Sequence, residues 1–322
     1  MAIYTKLSKE KVVSIISNYN LGNIKNFEGI KEGIENTNYL VETDKGKFIL
    51  TIYEKRVNSD DLPFFSKLML ELSNKNFICP KPILNKNNKY ISDLDAKKFM
   101  LVSYLEGKSK TNLSPNDCNS VGKQAARLHE ITKNFNFKRN NDLSVDSWRK
   151  IFNQVKDKCN SIHPDLPKLI ETNLKDVEKG WPEDLPKGII HADLFHDNIF
   201  FKNDNFSGFI DFYFSCNDFY AFEIAICFNA LCFDGINENL SFNVTKAKKF
   251  FDGYNEIRKI SNDEKKYIKV LSQGAALRFL LTRVFDSINM VDGAIVKIKD
   301  PIEYLKRLEF HKNSKNFEDY VV

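Results

Sequence analysis

Residues 188–201 read GIIHADLFHDNIFF, which sets His191, Asp193 and Asn198 into a short polar stretch between apolar runs. Their types and spacing suit phosphoryl transfer. A carboxylate such as Asp193 can accept a hydroxyl proton while that hydroxyl attacks phosphorus. Asn198 offers an amide oxygen, and Asp211, at the end of the next apolar run GFID, offers a carboxylate. A hairpin returning through KNDNFSG would place those two oxygens together. Mg²⁺ is a hard cation that takes few protein ligands and shares the rest with phosphate and water, so such a pair suits it. A lone Asp or Asn after a strand is ordinarily a turn residue; the ordered set of four is what points to a site.

The elements that must carry these residues fall into two rhythms. Up to about residue 105 the chain shows short alternating runs, IKNFEGI, NTNYLVETD, KFILTIYEK and KKFMLVSYLEG, with a hairpin turn at DKG, residues 44–46. An opening helix is capped near Ser8, and a second helix fits SDDLPFFSKLMLELSNKN with Ser59 as its cap. Beyond Gly107 the period turns helical. SPNDCNSVGKQAARLHEIT starts with Ser114 as cap and Pro115 in the first turn. Further helices are expected over 144–159, 164–179, 218–233, 243–258 and 261–289, the last opened by a capping box of Ser261 and Glu264. Two short strands, IFFK and GFIDFYF, interrupt this region beside the polar stretch. The expectation is an α+β chain of two lobes: a small antiparallel-sheet lobe over 1–105 and a larger, mainly helical lobe over 106–322.

Composition fixes the setting. The 322 residues are 42% hydrophobic, enough to bury a sizeable core. Neither an apolar leader nor a run of about 20 apolar residues occurs, so no membrane is expected and the cytoplasm is the default. The 48 basic and 43 acidic residues are interspersed without a basic stripe, and no nucleic-acid partner is expected. The six cysteines lack a CxxC pair or a neighbouring histidine, so reduced, buried thiols are expected.

The order H-x-D-x-x-x-x-N followed by a metal-binding Asp resembles the catalytic and metal loops of the protein-kinase-like fold, in its aminoglycoside phosphotransferase and choline kinase branch. Within that branch, GIENTNYLVETDKGKFILTIYEKR, IIHADLF, IDFYF and GAALRFLLTR are similar, nearly end to end, to the bacterial homoserine kinases. The resemblance implies ATP and Mg²⁺ as cofactors and the hydroxyl of L-homoserine as acceptor, on the route to threonine. It makes Asp193 the base, Asn198 and Asp211 the Mg²⁺ ligands and His191 the brace.

The same resemblance nominates a phosphate-covering turn, EGIENTNY, with Gly33 for close backbone approach and Asn36 and Asn38 as caps or donors. Adenine would lie against the linker from Ser103 to Leu105. The third strand departs from the wider family, because Thr51 stands where kinases place a phosphate-binding lysine. Lys55, on the same face, or Arg56 beside it is the replacement considered, with Glu71 as partner. Glu223 stands where related kinases commonly carry a loop-bracing Asp, and reads as structural. For the acceptor carboxylate, Arg278 and Arg283 are candidates, about 140° apart on one helix, with Arg149 as a third. Two other readings compete: a kinase of choline, an aminoglycoside or another amino alcohol, and a pseudokinase that binds nucleotide without turnover, the latter motivated by Thr51.

Overall fold

The computed structural model describes residues 4–30, 36–54, 57–236, 239–289 and 300–322. It divides into two compact units, Met1–Gly107 with Ser207–Tyr213, and Lys108–Phe206 with Phe214–Val322. A single cut after residue 105 would have left Asp211 with the second unit; instead the chain returns to the first for the seven residues that include it.

In the first unit, Ser8 accepts the N–H of Lys11 and starts α1 (Lys9–Ser17). The strands β1 (Ile24–Gly29), β2 (Thr37–Thr43), β3 (Gly46–Ile52), β4 (Ile91–Leu94) and β5 (Lys97–Ser103) form an antiparallel sheet in the order β1-β2-β3-β5-β4. Period-two alternation sends Tyr39, Val41, Phe48, Leu50, Phe99 and Leu101 to one face, where they bury Val12, Ile15 and Ile16 of α1. Between β3 and β4 runs α2 (Leu62–Asn74). Its approach is capped one residue earlier than expected: Asn58, not Ser59, accepts the N–H of Asp60 at 3.1 Å, because an Asn side chain reaches the amide two positions on.

The second unit opens with β6 (Lys108–Ser109) and α3 (Pro115–Thr132), whose capping box joins Ser114 and Asp117. Then come α4 (Val145–Val155), α5 (Leu166–Gly180), β7 (Lys187–Ile190), β8 (Ile199–Lys202) and β9 (Asn205–Phe209), whose last three residues already belong to the first unit and lead to Asp211. After the return follow β10 (Cys216–Phe219), α6 (Tyr220–Leu231), β11 (Phe233–Asp234), β12 (Ser241–Phe242), α7 (Val244–Ile257), α8 (Asn262–Ile288), α9 (Ile302–Asn313) and α10 (Glu318–Val321). Every residue of α6 is buried, and α8 packs along it. α3 and α7 approach closely because a Cβ on Gly122 would lie 2.1 Å from the Phe250 carbonyl, and one on Gly253 2.1 Å from that of Asn119.

Three sequence expectations are corrected. The helix expected from 218 begins at Tyr220, because Cys216–Phe219 pair with β7 as β10, Asp218 facing Gly188. The strand expected through GFIDFYF ends at Phe209, and a 3-10 turn covers Phe212–Phe214. The helices α9 and α10 were not anticipated. Among the described residues no helix is long and apolar enough to cross a membrane. All six cysteines are free and buried, and burial pushes the Cys79 thiol up to about 12.

Candidate active site

The polar stretch leaves the apolar strand β7 through His191, which is fully buried. The next residue, Ala192, sits at φ 65°, in the left-handed region. For an alanine that conformation costs about 1–2 kcal/mol. Two charged side chains hold it there. Glu223 of α6 accepts the backbone N–H groups of both His191 and Ala192, the latter at 3.2 Å. Arg278 of α8 donates from Nη1 to the Ala192 carbonyl at 2.7 Å. Hydrogen bonds to charged groups contribute roughly 1.5–3 kcal/mol each, enough to offset the strain.

This bend turns Asp193 out of the strand. Asn198 then closes the loop, donating from Nδ2 to the Asp193 carbonyl at 2.7 Å and to its carboxylate at 3.0 Å. With its nitrogen committed to Asp193, Asn198 keeps the carbonyl oxygen as its acceptor end. Behind the loop, His129 lies 4.0 Å from Glu223 and shares a 2.5 Å hydrogen bond with the Tyr254 hydroxyl. Burial lowers the His129 pKa, opposed by Glu223. Burial also lowers the Arg278 pKa, opposed first by the Asp193 carboxylate.

The remaining candidate residues lie in the first unit. Asp211 has φ 61°, a left-handed conformation that Asp tolerates better than most. The strand before it lies tight against its own unit: Gly208 has φ 129°, and a Cβ there would meet the Ile78 carbonyl at 2.7 Å. Thr51 is buried and donates to Asn38 Oδ1 across the β2–β3 pair at 2.8 Å. Asn36 accepts the Glu54 N–H at 3.3 Å. Asn38 is thereby held within the sheet, and Asn36 just ahead of it. Gly33 and Lys55 lie outside the described residues. Glu71 pairs with Lys75 at 2.8 Å on the surface of α2, so it is committed one turn along its own helix. In the linker, the N–H of Ser103 goes to the Lys81 carbonyl and that of Tyr104 to Lys47. The Ser103 N–H is therefore committed within its own unit.

The three arginines part company. Arg149 bridges Glu171 at 2.8 Å and Glu178 at 2.6 Å between α4 and α5. Arg283 donates to Glu303 at 2.9 Å and to the Asp300 carbonyl at 2.7 Å. Only Arg278, among the three, touches the loop that carries Asp193. Sequence reasoning named it for a different task; a lone arginine within the apolar run GAALRFLL was the available signal of a buried cation that needs a fixed partner.

Comparison with known proteins fits this geometry. Residues 26–247 match the model of the phosphotransferase enzyme family. The chain is 41% identical over 320 residues to the homoserine kinase of Mesorhizobium japonicum, covering 99% of both proteins. It is 42% identical over 320 residues to that of Xanthobacter autotrophicus, again with 99% of each covered. The chain belongs to the homoserine kinase branch of the phosphotransferase enzyme family. It is a small-molecule kinase with the protein-kinase-like fold. A solved amicoumacin kinase shares that fold with a TM-score of 0.71 at 13% identity, covering 97% of this chain and 95% of the other.

Among the described residues, no three His, Cys, Asp or Glu side chains gather into a metal cage. The donor set expected for Mg²⁺, the Asn198 amide oxygen and the Asp211 carboxylate, fits the ion for a different reason: both atoms are hard oxygens, and Mg²⁺ keeps most of its shell for phosphate and water.

Proposed function

We propose that this protein transfers the γ-phosphoryl group of ATP to the hydroxyl of L-homoserine, giving O-phospho-L-homoserine and ADP on the route to threonine. What carries the reading is the agreement of the whole chain with homoserine kinases at 41% and 42% identity, together with an intact Asp193–Asn198 loop. Asp193 accepts the proton from the acceptor hydroxyl as its oxygen bonds to phosphorus. Asn198 orients that carboxylate through the 3.0 Å hydrogen bond to it. Glu223 and Arg278 keep the loop in its left-handed bend. Asn198 and Asp211 hold Mg²⁺, which neutralises charge on the phosphates. The Leu105 amide meets the adenine, and Gly33, Asn36, Asn38 and Lys55 serve the phosphates.

The test is kcat/KM for L-homoserine, choline and an aminoglycoside, with ATP and Mg²⁺, following ADP release. L-Homoserine is expected to lead by a wide margin. A rival that equals it would leave the kinase in place and remove the substrate.

A further inference from the structure

The lysine missing at Thr51 raises the question of what ties the Asp211 loop to β3 and α2. In protein kinases an ion pair from that lysine does part of this work. Here Thr51 turns its hydroxyl to Asn38, and Glu71 turns to Lys75. In the same place three aromatic rings meet edge to face. Tyr213, two residues after Asp211, contacts Tyr53 just past β3 with centroids 5.1 Å apart at 83°, and Phe65 of α2 at 5.7 Å and 83°. The Tyr213 hydroxyl lies beside those of Thr51 and Tyr53. Two elements of one unit, β3 with its end and α2, therefore converge on a single side chain of the Asp211 loop.

We infer that Tyr213 is a positioning residue, which locks the left-handed Asp211 loop to β3 and α2 by edge-to-face packing, in place of the lysine that Thr51 displaces. The inference rests on the reading of Asp211 as a Mg²⁺ ligand. Packing suits the task because edge-to-face aromatic pairs fix both distance and angle, as an ion pair between long flexible side chains does not. The geometry also dispenses with a buried cation, which would need desolvating.

Equilibrium binding of ADP, by calorimetry with and without Mg²⁺, tests it independently of turnover. Tyr213→Leu keeps apolar volume but loses the edge contacts. It is expected to weaken Mg²⁺-dependent ADP binding by about tenfold, the scale on which groups that orient a metal ligand act, while Mg²⁺-free binding and the KM for L-homoserine hold. Tyr213→Phe, which keeps the ring, retains most of the affinity. Phe65→Leu removes the second edge contact from α2 and reproduces the loss, so the inference is tested even if Tyr213→Leu folds poorly. Equal weakening with and without Mg²⁺ would overturn the positioning role, and so would unchanged binding in both leucine variants. Asp211→Asn, measured alongside, separates the two claims: if it weakens Mg²⁺-dependent binding and the leucine variants do not, only the Tyr213 inference fails. If Asp211→Asn binds like the parent, both fail.

Discussion

Arg278 Nη1 donates to the carbonyl oxygen of Ala192 at 2.7 Å, and Glu223 takes the N–H of the same residue at 3.2 Å. A cation and an anion from two packed helices thus hold the single residue that bends the chain before Asp193. Removing the cation leaves the buried Ala192 carbonyl without its donor. Arg278→Met is expected to lower stability by about 1–3 kcal/mol, the usual cost of leaving a buried polar group unsatisfied, and to lower kcat more than it raises the KM for L-homoserine. Urea unfolding and steady-state kinetics read the two effects. The opposite split, with kcat kept and that KM raised, would return Arg278 to the acceptor carboxylate.

Asp193→Asn keeps the shape of the loop, because an amide can still meet Asn198. The proton acceptor is lost. The expected fall in kcat is about 10²- to 10⁴-fold, the range for a general base, with ADP affinity unchanged. Turnover near that of the parent enzyme would remove Asp193 from the chemistry.

The two oxygen donors make a separate prediction. Asp211→Asn removes the charged ligand and should collapse turnover while raising the Mg²⁺ concentration needed for half-maximal rate. Asn198→Ala should do so more mildly, and through a second route, since it also frees the Asp193 carboxylate from its 3.0 Å hydrogen bond. A Mg²⁺ titration of activity for both variants checks this; an unaltered requirement in either would take that residue off the metal.

How much of this was legible in the sequence follows from where the signals are local. Ser8, Ser114 and Ser261 cap their helices as read, since a cap needs only neighbours a turn away. The alternation of β2 and β3 also fixed their register face to face. Asp218 and Phe219 misled because their helix-like neighbours outweighed a pairing with β7 some thirty residues earlier, which no local pattern records. At the site, the residue types at 191, 193, 198 and 211 were readable as chemistry. What positions them was not: the bend at Ala192 is invisible in an alanine, and the Arg278 and Glu223 contacts to it span 86 and 31 residues. Tyr213 was passed over for the same reason, as its partners Tyr53 and Phe65 lie far back in the chain.

His311 of α9 supplies a prediction about acid stability. Its ring is wholly buried, with Nδ1 3.1 Å from the Tyr320 hydroxyl and Nε2 3.0 Å from Asn229 Oδ1. Burial, reinforced by the nearby Arg307, pushes its pKa down to about 3. An unfolded chain would protonate this histidine near its ordinary value of about 6.5. Between those two values the unfolded state binds the extra proton, so acid pulls the equilibrium toward unfolding. The contribution is complete above about pH 6.5 and is lost as the pH falls toward 3, by up to about 1.4 kcal/mol per pH unit. Going from about pH 7 to about pH 5, the parent protein should therefore lose roughly 2 kcal/mol more than His311→Gln, which can keep a hydrogen bond to Asn229 but cannot titrate. Urea unfolding of both proteins across that range measures the difference. Parallel stability curves would mean that His311 protonates as readily in the folded core as in the open chain.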